Sequence, residues 1–400
     1  MKTSTLLSEI FLIHAPSTRI ASFPKNIGSV RNLRVLDLSK NRLVNLDGIQ
    51  NCVHLSELYL GNNSLNDSQL RHLVSLTELE VLDLSHNNLR DSKSWTLIES
   101  LLKLRILFNN MNEYSTITFK KPSLMLEHIQ LNDNNLTNIE FSSPKISVIS
   151  VSLKNNQLSQ IKGLANLQSL QNLHCDNNQL TSIESLQQLI NVKQITANTN
   201  RLTSFNPPQS NTIEVIDLSS NQLSNFDFLA ICPYIKELKI SNNKIRHFPD
   251  CPSYFINLIA LDLSQNGIKV LSGLERFPNL TELNLSYNSL SNLPSALKEI
   301  SKLKALKNLD LRQNNFNADF NFDSLLPPDQ PLKSVEILEK YVIILSINSY
   351  INLLELFNLL KSLFLLTLSN IEAQSSRAPP ELSQFLIILK LVIMKCLLLK

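Results

Sequence analysis

Seven histidines, five cysteines and a scatter of carboxylates are the side chains that could do chemistry in this chain, and their spacing decides which chemistry is open. Of His14, His54, His72, His86, His128, His174 and His247, only His128 and His174 fall in short segments that alternate apolar and polar residues, the pattern of strands. With one strand between them, at about 4.8 Å per step, the two would stand about 10 Å apart, too far to share one metal ion. His174 and Asp176 come nearest to an acid–base pair, because residues two apart on a strand project to the same side. A polar contact surface is the more economical reading of them. No serine sits in a Gly-x-Ser-x-Gly turn, and neither G-x-x-x-x-G-K nor G-x-G-x-x-G occurs among only six glycines. Cys52, Cys175, Cys232, Cys251 and Cys396 form no C-x-x-C pair, and Cys232 and Cys251 have no Cys or His neighbours at ligand spacing. The expectation is no catalytic residue, no metal, no cofactor, and reduced thiols.

The charge balance narrows the partners. With 37 basic and 34 acidic residues the formal charge is +3, which supports no strong long-range field and so no dedicated nucleic-acid or membrane-surface role. The N-terminal MKTSTLLSEIFLIHAP has one lysine and an apolar stretch broken by Glu9 and His14, a poor export signal. A cytoplasmic or nuclear location is expected, with a secreted or surface-displayed adhesin as the alternative. Sequons such as Asn62-Asn63-Ser64 do not favour export in a chain this rich in Asn, Ser and Thr.

What must position these residues is a repeat. Asn41, Asn63, Asn87, Asn112, Asn134, Asn156, Asn178, Asn200, Asn221, Asn243, Asn266, Asn288 and Asn314 each close a unit of the form L-x-x-L-x-L-x-x-N-x-L, mostly 21 to 23 residues apart. Clean instances are Leu33, Leu36, Leu38, Asn41 and Leu43, and again Leu280, Leu283, Leu285, Asn288 and Leu290. The motif and its period are similar to those of the leucine-rich repeat family. That resemblance implies an α/β fold: a right-handed solenoid, or horseshoe, with a parallel β-sheet on its concave face and short 3₁₀ or loop segments on its convex face.

Each part of the unit has a physical role. The L-x-L alternation has period two, so a short strand turns its leucines inward and its x residues to the other face, and successive strands stack into a parallel sheet. The asparagine amide both donates and accepts, so a buried column of asparagines can satisfy backbone groups where the chain leaves each strand. Apolar residues then recur every third position, as in Leu158, Ile161, Leu164, Leu167 and Leu170, which predicts 3₁₀-like turns in place of long helices. Two units are irregular. The fourth, LRILFNNMNEYSTITF, has Asn109 where a strand leucine belongs, so a bent or weakly paired strand is expected. The twelfth, LSNLPSALKEISKLKALKNL, is longer and carries Pro294, which predicts a regular helix.

The 22-residue subtype resembles the family containing the leucine-rich regulatory subunit of type 1 protein phosphatase, over about residues 33 to 316. The resemblance implies a non-catalytic scaffold or regulatory subunit that docks a protein on the concave sheet; a phosphatase or a small-GTPase pathway component is the kind of partner implied. A GTPase-activating enzyme of repeat architecture fits less well, since that family uses longer, helix-rich repeats.

The middle x of each L-x-L forms the ridge of the binding face: Asp37, Tyr59, Asp83, Phe108, Gln130, Ser152, His174, Thr196, Asp217, Lys239, Asp262, Asn284 and Asp310. Beside it stand Glu57, His128, Glu237 and Glu282, two residues earlier, and Asp176 and Arg312, two later. Aromatics come early and carboxylates late. Tyr59 and Phe108 are the expected affinity anchors, because aromatic side chains bury much area at little entropic cost. The carboxylates favour a basic partner and disfavour RNA; aspartate is also common at this position as plain solvation.

Residues 1–32 are expected to form an N-terminal capping repeat, 33–325 the array of about 13 units, and 326–400 an apolar C-terminal tail. In the tail Pro327, Pro328 and Pro331 precede SVEILEKYVIIL, which reads as a helical cap, and FLIILKLVIMKCLLLK ends the chain. Lys390 and Lys395 interrupt that last stretch, each costing about 2.5 to 3.5 kcal/mol at a membrane centre, so a cap or partner helix is favoured over a segment without native structure and over a membrane anchor.

Overall fold

A computed structural model describes residues 9–121, 125–143, 146–208, 212–249 and 253–316. The expectations for the tail beyond 326, and for Cys251 and Cys396, lie outside these residues. The chain divides into two compact units, one running to Ile245 and including Pro249–Leu258, the other taking Arg246–Phe248 and the chain from Ile259 on.

The first unit contains β1 (Leu12–His14), β2 (Val35–Asp37), β3 (Glu57–Tyr59), β4 (Val81–Asp83), β5 (Ile106–Phe108), β6 (Thr116–Phe119), β7 (His128–Gln130), β8 (Asn138–Phe141), β9 (Ser150–Ser152), β10 (Ile161–Lys162), β11 (Asn172–His174), β12 (Gln194–Thr196), β13 (Val215–Asp217) and β14 (Glu237–Lys239). Its main sheet is parallel, in the order β1-β2-β3-β4-β5-β7-β9-β11-β12-β13-β14. The second unit holds β15 (Ala260–Asp262), β16 (Glu282–Asn284) and β17 (Asn308–Asp310), parallel in chain order. The central residue of each three-residue strand points inward: Leu36, Leu58, Leu82, Leu107, Leu173, Ile195, Ile216 and Leu238 are fully buried. At about 1.5 to 3 kcal/mol per buried aliphatic side chain, this stack is the main stabilising force of the array.

Where the chain leaves a strand, the asparagines form the expected ladder. In Asn156, Nδ2 donates to the carbonyls of Leu153 (3.0 Å), Lys154 (3.1 Å) and, one repeat back, Leu131 (2.9 Å), while Oδ1 accepts from the Leu136 amide at 3.1 Å. Asn63, Asn87, Asn178, Asn200, Asn221 and Asn243 repeat this set, as do Asn288 and Asn314 in the second unit. Asn41 and Asn134 serve their own turns in the same way, and Asn266 bonds the Leu263 and Ser264 carbonyls. The ladder forces the residue before each asparagine into the left-handed region: Lys40, Asn62, His86, Met111, Asp133, Asn155, Asn177, Thr199, Ser220 and Asn242 all have φ between 51° and 58°. None is glycine, so each carries a local strain of about 1 kcal/mol that the ladder must outweigh.

The connections are 3₁₀ turns, as period three predicts, at Ile49–Asn51, Asp67–Leu73, Leu164–Asn166, Leu186–Gln188 and Asp227–Ile231, and at Leu274–Arg276 in the second unit. The longer twelfth unit supplies the expected regular helix, Leu293–Ile300, whose first turn is capped by Asn292 Oδ1 accepting from the Ser295 amide at 3.0 Å.

Two expectations fail around the fourth repeat. Its strand is neither bent nor weakly paired: β5 is in full register with β4 and β7. Asn109 is fully buried, and its Oδ1 takes the hydrogen of Asn112 Nδ2 at 2.7 Å, standing in for the carbonyl that other ladder asparagines use there. The connections after β5, β7 and β9 are also not plain 3₁₀ turns, since they open with β6, β8 and β10, a second parallel sheet in the order β10-β8-β6. Alternating Ile117 and Phe119, and Ile139 and Phe141, bury the inner side of that sheet. Phe119 stacks on Phe141 (4.9 Å between centroids), and Trp95, in a short helix Trp95–Ile98, meets Phe119 edge-on at 5.2 Å. Gly163 follows β10 with φ 74°, and a Cβ there would lie 2.2 Å from the Phe141 carbonyl oxygen. Only glycine fits.

Candidate protein-binding face

The strand register assembles the ridge residue by residue. Asp37, Tyr59, Asp83, Phe108, Gln130, Ser152, His174, Thr196, Asp217 and Lys239 are successive cross-strand partners in the first unit. Asp262, Asn284 and Asp310 are partners in the second. The earlier column runs Val35, Glu57, Val81, Ile106, His128, so Val81 and Ile106 form a short apolar strip beside Asp83 and Phe108. Sequence reading missed this strip because valine and isoleucine in a strand are indistinguishable from core until the register is known.

It also missed His14. That residue lies on β1 opposite Asp37, with Nδ1 2.8 Å from Asp37 Oδ2, so three histidines stand on strands of the sheet, not two. The signal was present in the alternation of FLIHAP.

The ridge aspartates have a structural task that the sequence reading did not foresee. Oδ1 of Asp37, Asp83, Asp217, Asp262 and Asp310 accepts the amide hydrogen two residues on, from Ser39, Ser85, Ser219, Ser264 and Arg312, at 2.9 to 3.0 Å. Asn284 does the same for Ser286 at 3.1 Å. In the middle repeats, where the ridge carries no aspartate, four of the corresponding amides turn to the preceding repeat: Asn110 to Ser85 Oγ, Asn132 to Asn110 Oδ1, Lys154 to Asn132 Oδ1 and Asn198 to Asp176 Oδ1. One buried donor thus has two solutions, an acceptor on its own strand or one on its neighbour. The recurring Asp-Leu-Ser was the legible trace of the first.

Asp176 is accordingly a buried node and not a contact residue, with a side chain 7% exposed. Nor does it meet His174 directly. Thr196 stands between them, its hydroxyl donating to Asp176 Oδ2 (2.8 Å) while Oγ1 lies 3.0 Å from His174 Nδ1. Since the threonine hydrogen is committed to Asp176, Nδ1 must carry the imidazole hydrogen, which leaves Nε2 an acceptor. Lys154 Nζ reaches Asp176 Oδ2 at 3.0 Å. Burial, and then the Lys154 charge, push the His174 pKa below its ordinary value, so the neutral ring is favoured.

At the early end, the Tyr59 hydroxyl donates to Glu57 Oε2 at 2.8 Å. Burial, the Glu57 hydrogen bond, and the charges of Glu57, Asp37 and Asp83 push its pKa up to about 12. Later charges are partly spent internally. Arg312 grips Asp310 through Nε at 2.9 and 3.0 Å, and Lys239 bridges Glu237 at 2.6 Å. Burial raises the Asp310 pKa, but the Arg312 bonds outweigh it and hold the carboxyl low.

Cys52, Cys175 and Cys232 are free and buried, filling positions the motif gives to leucine; burial pushes the pKa of Cys52 to about 11 and of Cys232 to about 12. Among the described residues no His, Cys, Asp and Glu cluster could hold a metal ion, and no helix is long and apolar enough to cross a membrane.

Comparison with known proteins agrees with this geometry. Leucine-rich repeat models match residues 31–89, 78–104 and, as two copies, 256–299. A MAP kinase phosphatase with leucine-rich repeats from Dictyostelium discoideum is 35% identical over 119 residues, which are 28% of this chain and 14% of that protein. The chain therefore spans about a seventh of that relative. Among solved structures, a leucine-rich repeat protein of Leptospira interrogans superposes with a TM-score of 0.64 at 27% identity, covering 80% of each chain. An internalin of Listeria monocytogenes does so with a TM-score of 0.63 at 22% identity, covering 77% of this chain and 88% of its own. Repeat motif, asparagine ladder and stacked parallel strands together make this chain a leucine-rich repeat protein.

Proposed function

We propose that this chain is a non-catalytic scaffold or regulatory subunit that docks a protein partner on the open face of its sheet. The observation that carries the reading is the face itself: in the first unit alone, cross-strand register presents two half-buried aromatics, apolar side chains and polar groups on one continuous surface. Parallel strands about 4.8 Å apart make that surface long enough for a folded protein. The anchors are Tyr59 and Phe108 with Asp37, Glu57 and Asp83 around them; His128, Gln130, His174, Asp217 and Lys239, and in the second unit Asp262, Asp310 and Arg312, supply polar complementarity. Asp176 supports the face from beneath.

Kinship with the phosphatase regulatory subtype is part of this proposal, supported by the prevalence of 3₁₀ turns and by the acidic and aromatic early strands; a phosphatase or a small-GTPase pathway component is the partner class it suggests. A cytoplasmic setting belongs to it too, supported by the three free buried thiols. Affinity purification with mass spectrometry tests the reading: a partner retained by the wild-type chain should be lost from the Tyr59→Ala, Phe108→Ala double variant. Retention of every partner would refute it.

A further inference from the structure

The turn after each strand asks for an oxygen, not a charge. Asn284 proves the point by capping the Ser286 amide as the aspartates cap theirs. The negative charge on a ridge aspartate is therefore surplus to the fold and available for something else. Most of it is answered within the chain: Asp37 by His14, Asp310 by Arg312, and Asp217 by Asn198 Nδ2 at 3.4 Å. Asp83 and Asp262 are left over: Oδ1 of each caps a serine amide, of Ser85 and Ser264, and Oδ2 of neither has a hydrogen-bond or ion-pair partner among the described residues. Asp83 is the one whose two cross-strand neighbours are aromatic.

The surroundings of that free oxygen are specific. Tyr59 and Phe108 are its cross-strand neighbours, one on each side. With strands about 4.8 Å apart, the Tyr59 and Phe108 side chains leave the sheet on the strands to either side of Asp83. Residue 61, on the strand side of Tyr59, is glycine; a Cβ there would stand 2.7 Å from Asp83 Oδ2. Any larger residue would press on the oxygen, so glycine is what allows Asp83 Oδ2 its position over that backbone. A cation approaching Asp83 from the open face would meet a carboxylate with an aromatic side chain on each neighbouring strand, the two groups that bind ammonium and guanidinium best. Among the described residues no lysine or arginine is paired with Asp83 Oδ2, and the carboxylates of Glu57 and Asp37 add negative charge nearby.

We propose that Tyr59, Asp83 and Phe108 form a clamp for one basic side chain, arginine or lysine, of a protein partner. This rests on the reading of the sheet face as a docking surface and names the chemistry that the partner must bring. The apolar strip of Val81 and Ile106 alongside then takes the apolar residues next to that cation.

The test is selection of binders from a random peptide display library on the full-length chain, followed by affinity measurement with the resynthesised peptides. Enriched peptides should carry arginine or lysine. Asp83→Asn, which keeps the Ser85 cap and should leave the melting temperature unchanged, should weaken them about tenfold or more, the loss of one charge-assisted contact. Phe108→Leu should weaken them as well, and rising salt should weaken the wild type far more than Asp83→Asn. Glu184→Gln, an exposed carboxylate in the connection before Leu186, should have no effect. The clamp is overturned if no basic peptide is enriched, or if Asp83→Asn binds within twofold of wild type. In that second case, loss of binding on His174→Ala or Lys239→Ala would leave the docking face standing and remove only the clamp, whereas indifference to every face substitution would remove both.

Discussion

Asn156→Ala measures what the asparagine ladder contributes, and its cost can be worked from the partners left behind. Four hydrogen bonds vanish, but their loss is unequal. The Leu153 carbonyl keeps Asn178 Nδ2 at 2.9 Å, the Leu131 carbonyl keeps Asn134 Nδ2 at 3.2 Å, and the Lys154 carbonyl keeps the Asp133 amide at 2.9 Å. Only the Leu136 amide, buried beneath the turn, is left with nothing. An orphaned buried donor costs about 1 to 3 kcal/mol, and the three weakened carbonyls add a few tenths each. The expected loss is about 2 to 4 kcal/mol in urea unfolding, with the unfolding slope unchanged if the array melts as one. Because neighbouring repeats couple only to each other, amide exchange should accelerate most at Leu136 and in the adjoining turns, leaving distant strands protected. A loss below about 0.5 kcal/mol, or exchange that rises evenly along the chain, would refute the claim that the ladder holds successive turns together.

Four further outcomes follow from the same geometry. Asp217→Asn should be close to neutral in thermal unfolding, while Asp217→Ala should cost about 1 kcal/mol, because only the alanine orphans the Ser219 amide. Thr199 is a β-branched residue held at φ 53°, so Thr199→Gly or Thr199→Asn should raise stability by about 0.5 to 1 kcal/mol. The folded state holds the His174 pKa below its unfolded value, so the unfolded chain binds the proton more readily; the stability this residue contributes is complete above the unfolded pKa and falls as acid is added towards the folded one. In proton NMR titration, Lys154→Met should raise the His174 pKa, and no change would argue against the charge coupling. In a Cys251→Ser, Cys396→Ser background, thiol reagents at neutral pH should label Cys52, Cys175 and Cys232 only after denaturant is added.

The fold was legible because its signal is redundant. Thirteen asparagines at nearly constant spacing locate β2 to β5, β7, β9 and β11 to β17, and the middle x of each L-x-L names the ridge before any geometry is known. The site was legible only in outline, for three physical reasons. Outward valine and isoleucine look like core, so the strip beside Asp83 and Phe108 was invisible. Ridge aspartates look like ligands, yet the turn amides use one oxygen of each. Asp176 looks like part of an acid–base pair, yet the Thr196 hydroxyl and Lys154 draw it into the support of the sheet. The second small sheet escaped notice because Thr116–Phe119 is too short to be told from a turn by periodicity alone.

The central claim is that the open face of the sheet receives a protein, and site-specific photocrosslinking in the native cell tests it most directly. A photoreactive phenylalanine placed at Phe108 or Gln130 should yield a discrete protein adduct, and the same group at Gln168 or Glu184, in the connections, should yield none. Adducts from the connections with none from the strands would contradict the account.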